Sequence, residues 1–256
     1  MRIRIPEDHP RASSLRIREM IVDGLRNGLV VEEGLIAHGR GETFDYLIGE
    51  KTTPSAVTAI SAAAAMILTS NHPVISVNGN FAALCGKEII ELGRACGALI
   101  EVNLFYHSRS RERAIKNHLK DLGAPEVLGI GKSRTAIIPN LNGERRRVDP
   151  RGIAIADTVF VPLEDGDRTE ALVRMGKRVV AVDLNPLSRT AATATICIVD
   201  NVVRAIPALI QTIQELKSKE SDYLKDMIAR FDNSWNLNES LRLIRLGGSE
   251  ISATSK

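Results

Sequence analysis

The sequence predicts an α/β fold with a mostly parallel sheet, and three observations carry that expectation. Strand-like and helix-like stretches alternate from residue 74 to residue 213. The strand candidates Val74-Ile-Ser-Val77, Arg178-Val-Val-Ala-Val-Asp183 and Thr195-Ile-Cys-Ile-Val199 are nearly continuous aliphatic runs, as strands covered on both faces must be. Aromatic residues make up only 4% of the chain, so its core is aliphatic.

Each element has its own signal. After Pro10, Leu15, Val22, Leu25 and Leu29 fall on one helical stripe, together with Arg18. Gly34-Leu-Ile-Ala-His-Gly-Arg-Gly-Glu42 reads as a short apolar run ending in a glycine-rich polar turn. Thr53-Pro54 opens a helix through Leu68, with a capping hydroxyl followed by proline in the first turn. The strand at 74–77 ends in Asn78-Gly79-Asn80. A helix is expected near Lys87 to Cys96, a strand from Leu99 to Phe105, and a helix from Ser110 to Leu122 that leads into Glu126-Val-Leu-Gly-Ile130.

Asp157 to Val161 forms the next strand and runs into Glu164-Asp-Gly-Asp-Arg-Thr-Glu170, where Asp167 and Glu170 have capping-box spacing. Past the strands at 178–183 and 195–199, Val202, Val203, Ile206, Leu209, Ile210 and Ile213 trace an amphipathic helix containing Pro207. Two more helices are expected near Asp222 to Phe231 and Leu237 to Leu246. The small, polar tail from Gly247 is expected to be poorly ordered. These readings describe one 256-residue domain. A helical segment at 1–33 precedes a Rossmann-like sheet core at 34–200 with helices on both faces; C-terminal helices fill 201–246 and the tail 247–256.

Composition excludes several classes. A net charge of +3 is too small to imply nucleic-acid binding. The Arg145-Arg146-Arg147 run reads as a solvated loop, whereas Arg11 to Arg18 lie among apolar residues. No apolar run reaches the roughly 20 residues of a membrane span, and the N-terminus has no signal-peptide pattern. Cys85, Cys96 and Cys197 form no CxxC pair, as expected of a protein in the reducing cytoplasm. The five histidines show no HExxH spacing, so no protein-ligated metal is expected. Gly129-Ile-Gly-Lys-Ser133 ends like a phosphate-binding P-loop but has Glu126 where the first glycine is required, and no GxGxxG follows any strand.

In parallel sheets ligands bind beyond the carboxyl ends of the strands, so the loops there hold the candidates. Asp183 ends a buried strand, where a carboxylate can receive ribose hydroxyls; Asn185 precedes a proline, and Ser188 and Arg189 offer a hydroxyl and a guanidinium to phosphates. Asp200 and Asn201 begin a helix whose amino end favours an anion. Arg40 lies between two glycines that let a ligand approach; a tight turn with exposed charge would look the same. Arg18, on an apolar stripe, meets an anion, pairs with Glu19 or Asp23, or reaches out to water. In Glu164-Asp165-Gly-Asp167, Asp165 can hold a cation or receive an amine, while Asp167 is expected to cap the next helix.

Taken together, Gly34 to Glu42 with Phe44-Asp-Tyr-Leu-Ile-Gly-Glu50, His72-Pro-Val-Ile-Ser-Val-Asn-Gly-Asn80, Val161-Pro-Leu-Glu-Asp-Gly-Asp-Arg-Thr-Glu-Ala171, Val182-Asp-Leu-Asn-Pro-Leu-Ser-Arg189 and Ile198-Val-Asp-Asn201 resemble one family, the archaeal phosphopantothenate synthetases, or 4-phosphopantoate–β-alanine ligases. Residues 130–148 and the tail carry none of the resemblance. It implies a homodimeric ligase of coenzyme A biosynthesis that joins 4-phosphopantoate to β-alanine and converts ATP, with Mg2+, to AMP and diphosphate. The ATP contacts it implies are Arg18, Arg40, Asp183, Leu184, Asn185, Ser188, Arg189, Val199, Asp200, Asn201 and Val202. As a hypothesis, Asn78, Asn80, His38 and Asp165 handle 4-phosphopantoate or β-alanine, with His38, Asn80 and Asp165 nearest the chemistry. A Rossmann-type oxidoreductase and a non-catalytic nucleotide sensor are the rival readings. Neither would release diphosphate in response to both substrates.

Overall fold

In the computed structural model, which describes residues 5–246, three helices precede the sheet: α1 (Ala12–Arg26), α2 (Glu32–Ile48) and α3 (Pro54–Leu68). Strands and helices then alternate as β1 (Pro73–Val77), α4 (Gly79–Cys96), β2 (Leu99–Val102) and α5 (Arg109–Asp121). A two-stranded hairpin follows, β3 (Ala136–Ile137) with β4 (Arg147–Val148), and after it β5 (Thr158–Pro162), α6 (Gly166–Arg174), β6 (Arg178–Val182), α7 (Arg189–Thr193) and β7 (Ile196–Ile198). The chain continues through α8 (Val202–Leu216), which carries Pro207 inside it, then α9 (Ser221–Ala229) and α10 (Asn233–Arg245). The expected tail lies outside the described residues. No described helix is long and apolar enough to cross a membrane.

The main sheet is parallel throughout, in the order β2-β1-β5-β6-β7. Alternate strand residues serve opposite faces. Ile75, Val77, Phe160, Val180 and Val182 join the larger core with α3, α4, α5 and α8. Val74, Val159, Val161, Val179 and Ala181 join a second core with α6, α7 and α10. The chain leaves β1 for one side of the sheet and later places β5 on the other. The topological switch point therefore falls between the carboxyl ends of β1 and β5, which is where such sheets bind ligands.

The Gly34–Glu42 segment is a correction: it is helix, the middle of α2, and not a glycine turn. Each internal glycine costs a helix roughly 1 kcal/mol, and α2 buries few of its own residues. Charge holds it instead. Arg11 and Arg18 donate to Glu42, Arg11 and Ser14 donate to Glu50, and the buried Asp45 accepts from Arg204 and Asn201. Gly49, at φ 96°, ends the helix in the left-handed conformation glycine favours. Sheet residues accordingly begin at Pro73, well after residue 34. Further differences are of extent: the helix expected from Lys87 starts at Gly79, directly after β1, and β2 stops at Val102.

The connection between α5 and β5 is fastened to the sheet by Glu101, which is fully buried on β2 and accepts from the backbone N–H groups of Asp149 (2.8 Å) and Ile153 (2.6 Å). Burial pushes its carboxyl up from 4.5 to about 7, against the pull of those two amides. The folded protein therefore holds this proton more tightly than the unfolded chain. Stability from this group is complete below pH 4.5 and is lost as pH rises through about 7, a change of about 3 kcal/mol. Urea unfolding at pH 5 and pH 8 should show that fall, and Glu101→Gln should flatten it; an unchanged slope in the variant contradicts the assignment.

Candidate active site

Asn78 closes the switch point. Its Oδ1 accepts from Phe81 N–H (3.0 Å) and caps α4, while Nδ2 donates to the carbonyls of Pro162 (2.9 Å) and Leu163 (3.0 Å). One amide thus ties the ends of two diverging strands together. Leu163 has φ 54°, a left-handed conformation that costs a non-glycine residue about 1–2 kcal/mol. Asn78 and the bond from Leu163 N–H to Val182 O (3.1 Å) hold it there.

Two cavities open at this point and share a wall. The smaller, about 160 Å³, is lined by His38, Asp183, Leu184, Asn185, Ser188 and Val202, among others. The larger, about 410 Å³, reaches past Asn78, Gly79, Asn103, Tyr106 and Arg111. Ala37, Arg40, Asn80, Leu163, Glu164 and Asp165 line both, so they form the junction. The two cavities are lobes of one cleft.

The sequence-predicted residues divide accordingly. Asp183 faces the smaller lobe, accepting from Asn185 N–H (2.9 Å) and the Ser188 hydroxyl, while Ser188 also caps α7. Both Asp183 oxygens keep lone pairs for further donors. Arg40 is exposed at the junction and makes no hydrogen bond or ion pair among the described residues. Asn80 donates from Nδ2 to Gly34 O (2.8 Å), which leaves its second amide proton and its Oδ1 for a ligand. Asn201 lines the smaller lobe, but its side chain is occupied with Asp45 and with capping α8. Asp200 is buried and committed to Thr52 and Arg204, and Val199 is buried beneath it.

Two arginines are not brought in. Arg18 sits across α2, paired with Glu42 rather than with Glu19 or Asp23, and borders a separate surface depression with Arg11. Arg189 is 66% exposed and pairs with Glu170, outside both lobes.

Sequence reasoning missed other charges. Arg145 is buried, not solvated: it forms ion pairs with Asp165 and Asp167 and lies 4.3 Å over the Phe105 ring. Asp167 therefore does not cap α6; Asp165 occupies the N-cap position without a capping side-chain bond, and Asp167 in the first turn serves Arg145. Arg168, fully buried, reaches from α6 to Glu164 and to Ser76 (3.0 Å). Two arginines thus hold the three carboxylates of the acidic loop, Arg145 taking Asp165 and Asp167 and Arg168 taking Glu164.

Burial sets the electrostatics. It pushes Asp165 up, with Glu164 adding to the rise and Arg145 opposing it. It pushes Asp183 up despite the bonds from Ser188 and Asn185. It holds the His38 imidazole down, so His38 is neutral near pH 7, and its Nε2 is buried without a partner beside the smaller lobe.

The fold and cleft define a doubly wound α/β protein with a two-lobed ligand site at its switch point. Comparison with known proteins places it more narrowly. The family described as phosphopantothenate/pantothenate synthetase matches residues 55–247. A protein from Thermococcus kodakarensis named 4-phosphopantoate–beta-alanine ligase is 52% identical over 243 residues, 95% of this chain and 93% of its own. Proteins of the same name from Methanosarcina mazei (49% over 241 residues, 94% of each chain) and Methanospirillum hungatei (46% over 241 residues, 94% of this chain and 96% of its own) are also similar. The chain belongs to the phosphopantothenate/pantothenate synthetase family.

Proposed function

We propose that this protein is an ATP-dependent ligase that condenses (R)-4-phosphopantoate with β-alanine to 4'-phosphopantothenate, releasing AMP and diphosphate, in coenzyme A biosynthesis. The observation that carries this reading is the cleft of two lobes meeting at Arg40, Asn80, Glu164 and Asp165. A ligation that consumes a nucleotide must bring nucleotide and acid together at one point, and two lobes that share a wall allow it. The names of the similar archaeal proteins supply the substrates.

In this reading ATP takes the smaller lobe, with its ribose on Asp183, and 4-phosphopantoate takes the larger. A carboxylate resists attack by an amine, so it is first activated. Its oxygen attacks the α-phosphorus, the bond to the β-phosphate breaks, and diphosphate leaves with the bonding electrons. The amine of β-alanine then attacks the acyl carbon, loses its proton, and displaces AMP. Arg40 faces the charge that accumulates at the phosphates in the first step. Asp165 receives the β-alanine ammonium on Oδ1, the oxygen that Arg145 does not engage, and the neutral His38 offers Nε2 to a proton or hydroxyl in the nucleotide lobe. Holding three reactants at one junction removes much of the entropic barrier.

The residues do not fit a protein-held magnesium. Among the described residues no cluster of three His, Cys, Asp or Glu could hold a metal, and Glu164, Asp165 and Asp167 are engaged by arginines. The resemblance also leads us to place the enzyme in the cytoplasm as a homodimer, with its three free cysteines consistent with a reducing compartment.

Diphosphate release that depends on both 4-phosphopantoate and β-alanine tests the reading; ADP release, or no release with any substrate pair, overturns it. Arg189 follows Ser188, which lines the nucleotide lobe, although its own side chain lies outside that lobe. Its exposed pair with Glu170 contributes little, so the guanidinium leaves it readily for an incoming phosphate. Arg189→Ala is expected to raise the KM for ATP several-fold with Tm unchanged, whereas an unfolded variant would make the residue structural.

A further inference from the structure

Arg111, on the first turn of α5, is the cation in the cleft that neither the motifs nor the chemistry above has used. It lines the larger lobe and forms no ion pair among the described residues. Its Nε donates to Leu29 O (2.9 Å) and its Nη1 to Tyr106 O (2.5 Å), so two backbone carbonyls fix the plane of the guanidinium. Nη2 makes no bond among the described residues and lies against Gly79: a side chain there would come within 2.5 Å of Nη2 and 2.1 Å of Leu29 O. Glycine at 79 is what lets the arginine seat beside the start of α4.

The charges of this lobe are unevenly matched. At the junction end, Glu164 and Asp165 are neutralised by Arg168 and Arg145. At the other end stands Arg111; Glu33 on the rim is exposed and makes no ion pair with it. A half-buried guanidinium with no carboxylate bonded to it bears a desolvation cost that an anion would relieve; burial presses its pKa down, and the charge of Glu33 only opposes that shift from the rim. Asn78, the other candidate at this end, has its amide committed to the strand ends and the α4 cap.

We infer that Arg111 reads the phosphate monoester of the acid substrate, through Nη2, and so sets the preference for a phosphorylated over an unphosphorylated hydroxy acid. The orientation follows: with its phosphate at Arg111, the substrate's carboxylate is directed toward the junction. This inference rests on the ligase reading above.

The test is calorimetric binding of 4-phosphopantoate and of pantoate to the wild-type protein and to Arg111→Ala and Arg111→Lys, with Tm and diphosphate release measured alongside. Arg111→Ala is expected to weaken 4-phosphopantoate binding at least tenfold and to leave pantoate binding unchanged, so that the preference falls by the same factor. Arg111→Lys should recover part of it, because an ammonium supplies the charge without the planar fork. Equal loss for both ligands, or an unchanged preference, overturns the inference. If the alanine variant does not fold without its two carbonyl bonds, the same ratio in the lysine variant decides. If the wild-type protein releases no diphosphate yet discriminates between the two acids through Arg111, the ligase reading fails and the phosphate site stands.

Discussion

Arg168→Met is expected to lower the free energy of unfolding by about 3–5 kcal/mol, the usual cost of breaking a buried ion pair from one side. Arg168 is fully buried, and the Glu164 side chain it meets is only 9% exposed. Nε and Nη2 of the arginine have no partner among the described residues, so Glu164 and Ser76 supply its compensation. Removing the cation strands the carboxylate at the junction of the two lobes. Adding Glu164→Gln should return part of the loss, because no buried charge then remains. Urea denaturation of the wild type, both single variants and the double variant measures that coupling. Strictly additive losses, or a methionine variant as stable as the wild type, would contradict the pairing.

Asn80→Ala is expected to cut kcat about 100-fold or more, in line with the loss of one preorganised donor, while costing about 1 kcal/mol of stability for one neutral hydrogen bond. The side chain gives one N–H to Gly34 O and lies at the junction, so most of its hydrogen-bonding capacity faces the cleft. Steady-state kinetics beside a thermal melt separates the two effects. Unchanged turnover removes Asn80 from the chemistry, and a collapse of Tm assigns it to the fold.

Much of the fold was legible because buried parallel strands must be aliphatic on both faces. Val74 to Val77, Arg178 to Val182 and Ile196 to Ile198 announced themselves in this way. The strand-end rule then led from β6 to Asp183, Asn185 and Ser188, which do line one lobe together. The local pattern misled where tertiary charge overrides propensity. Gly39 and Gly41 suggest a turn, yet ion pairs to α1 and α8 keep them helical.

Buried charges were the least legible. Arg145 belongs to a run of three arginines, and nothing in the run marks the one that folds under Phe105 onto Asp165 and Asp167. Arg111 sits on a strongly polar helix, where one more arginine reads as solvated surface. A signal for Arg168 was present: Glu164, just before the N-cap of α6, and Arg168 in its first turn are four apart. Spacing alone does not say that the pair turns inward. Arg18 shows the converse, a stripe residue whose anion is supplied by α2 rather than by a ligand.

In the proposed reaction the two lobes divide the labour, the smaller holding the nucleotide and the larger the acid. A crystal of the protein soaked with ATP and magnesium tests it most directly. The predicted result is adenosine in the lobe of His38, Asp183 and Ser188, with the ribose on Asp183 and the α-phosphate at Arg40 and Asn80. Adenosine in the lobe of Asn78 and Arg111, or nucleotide bound outside the cleft, would contradict it.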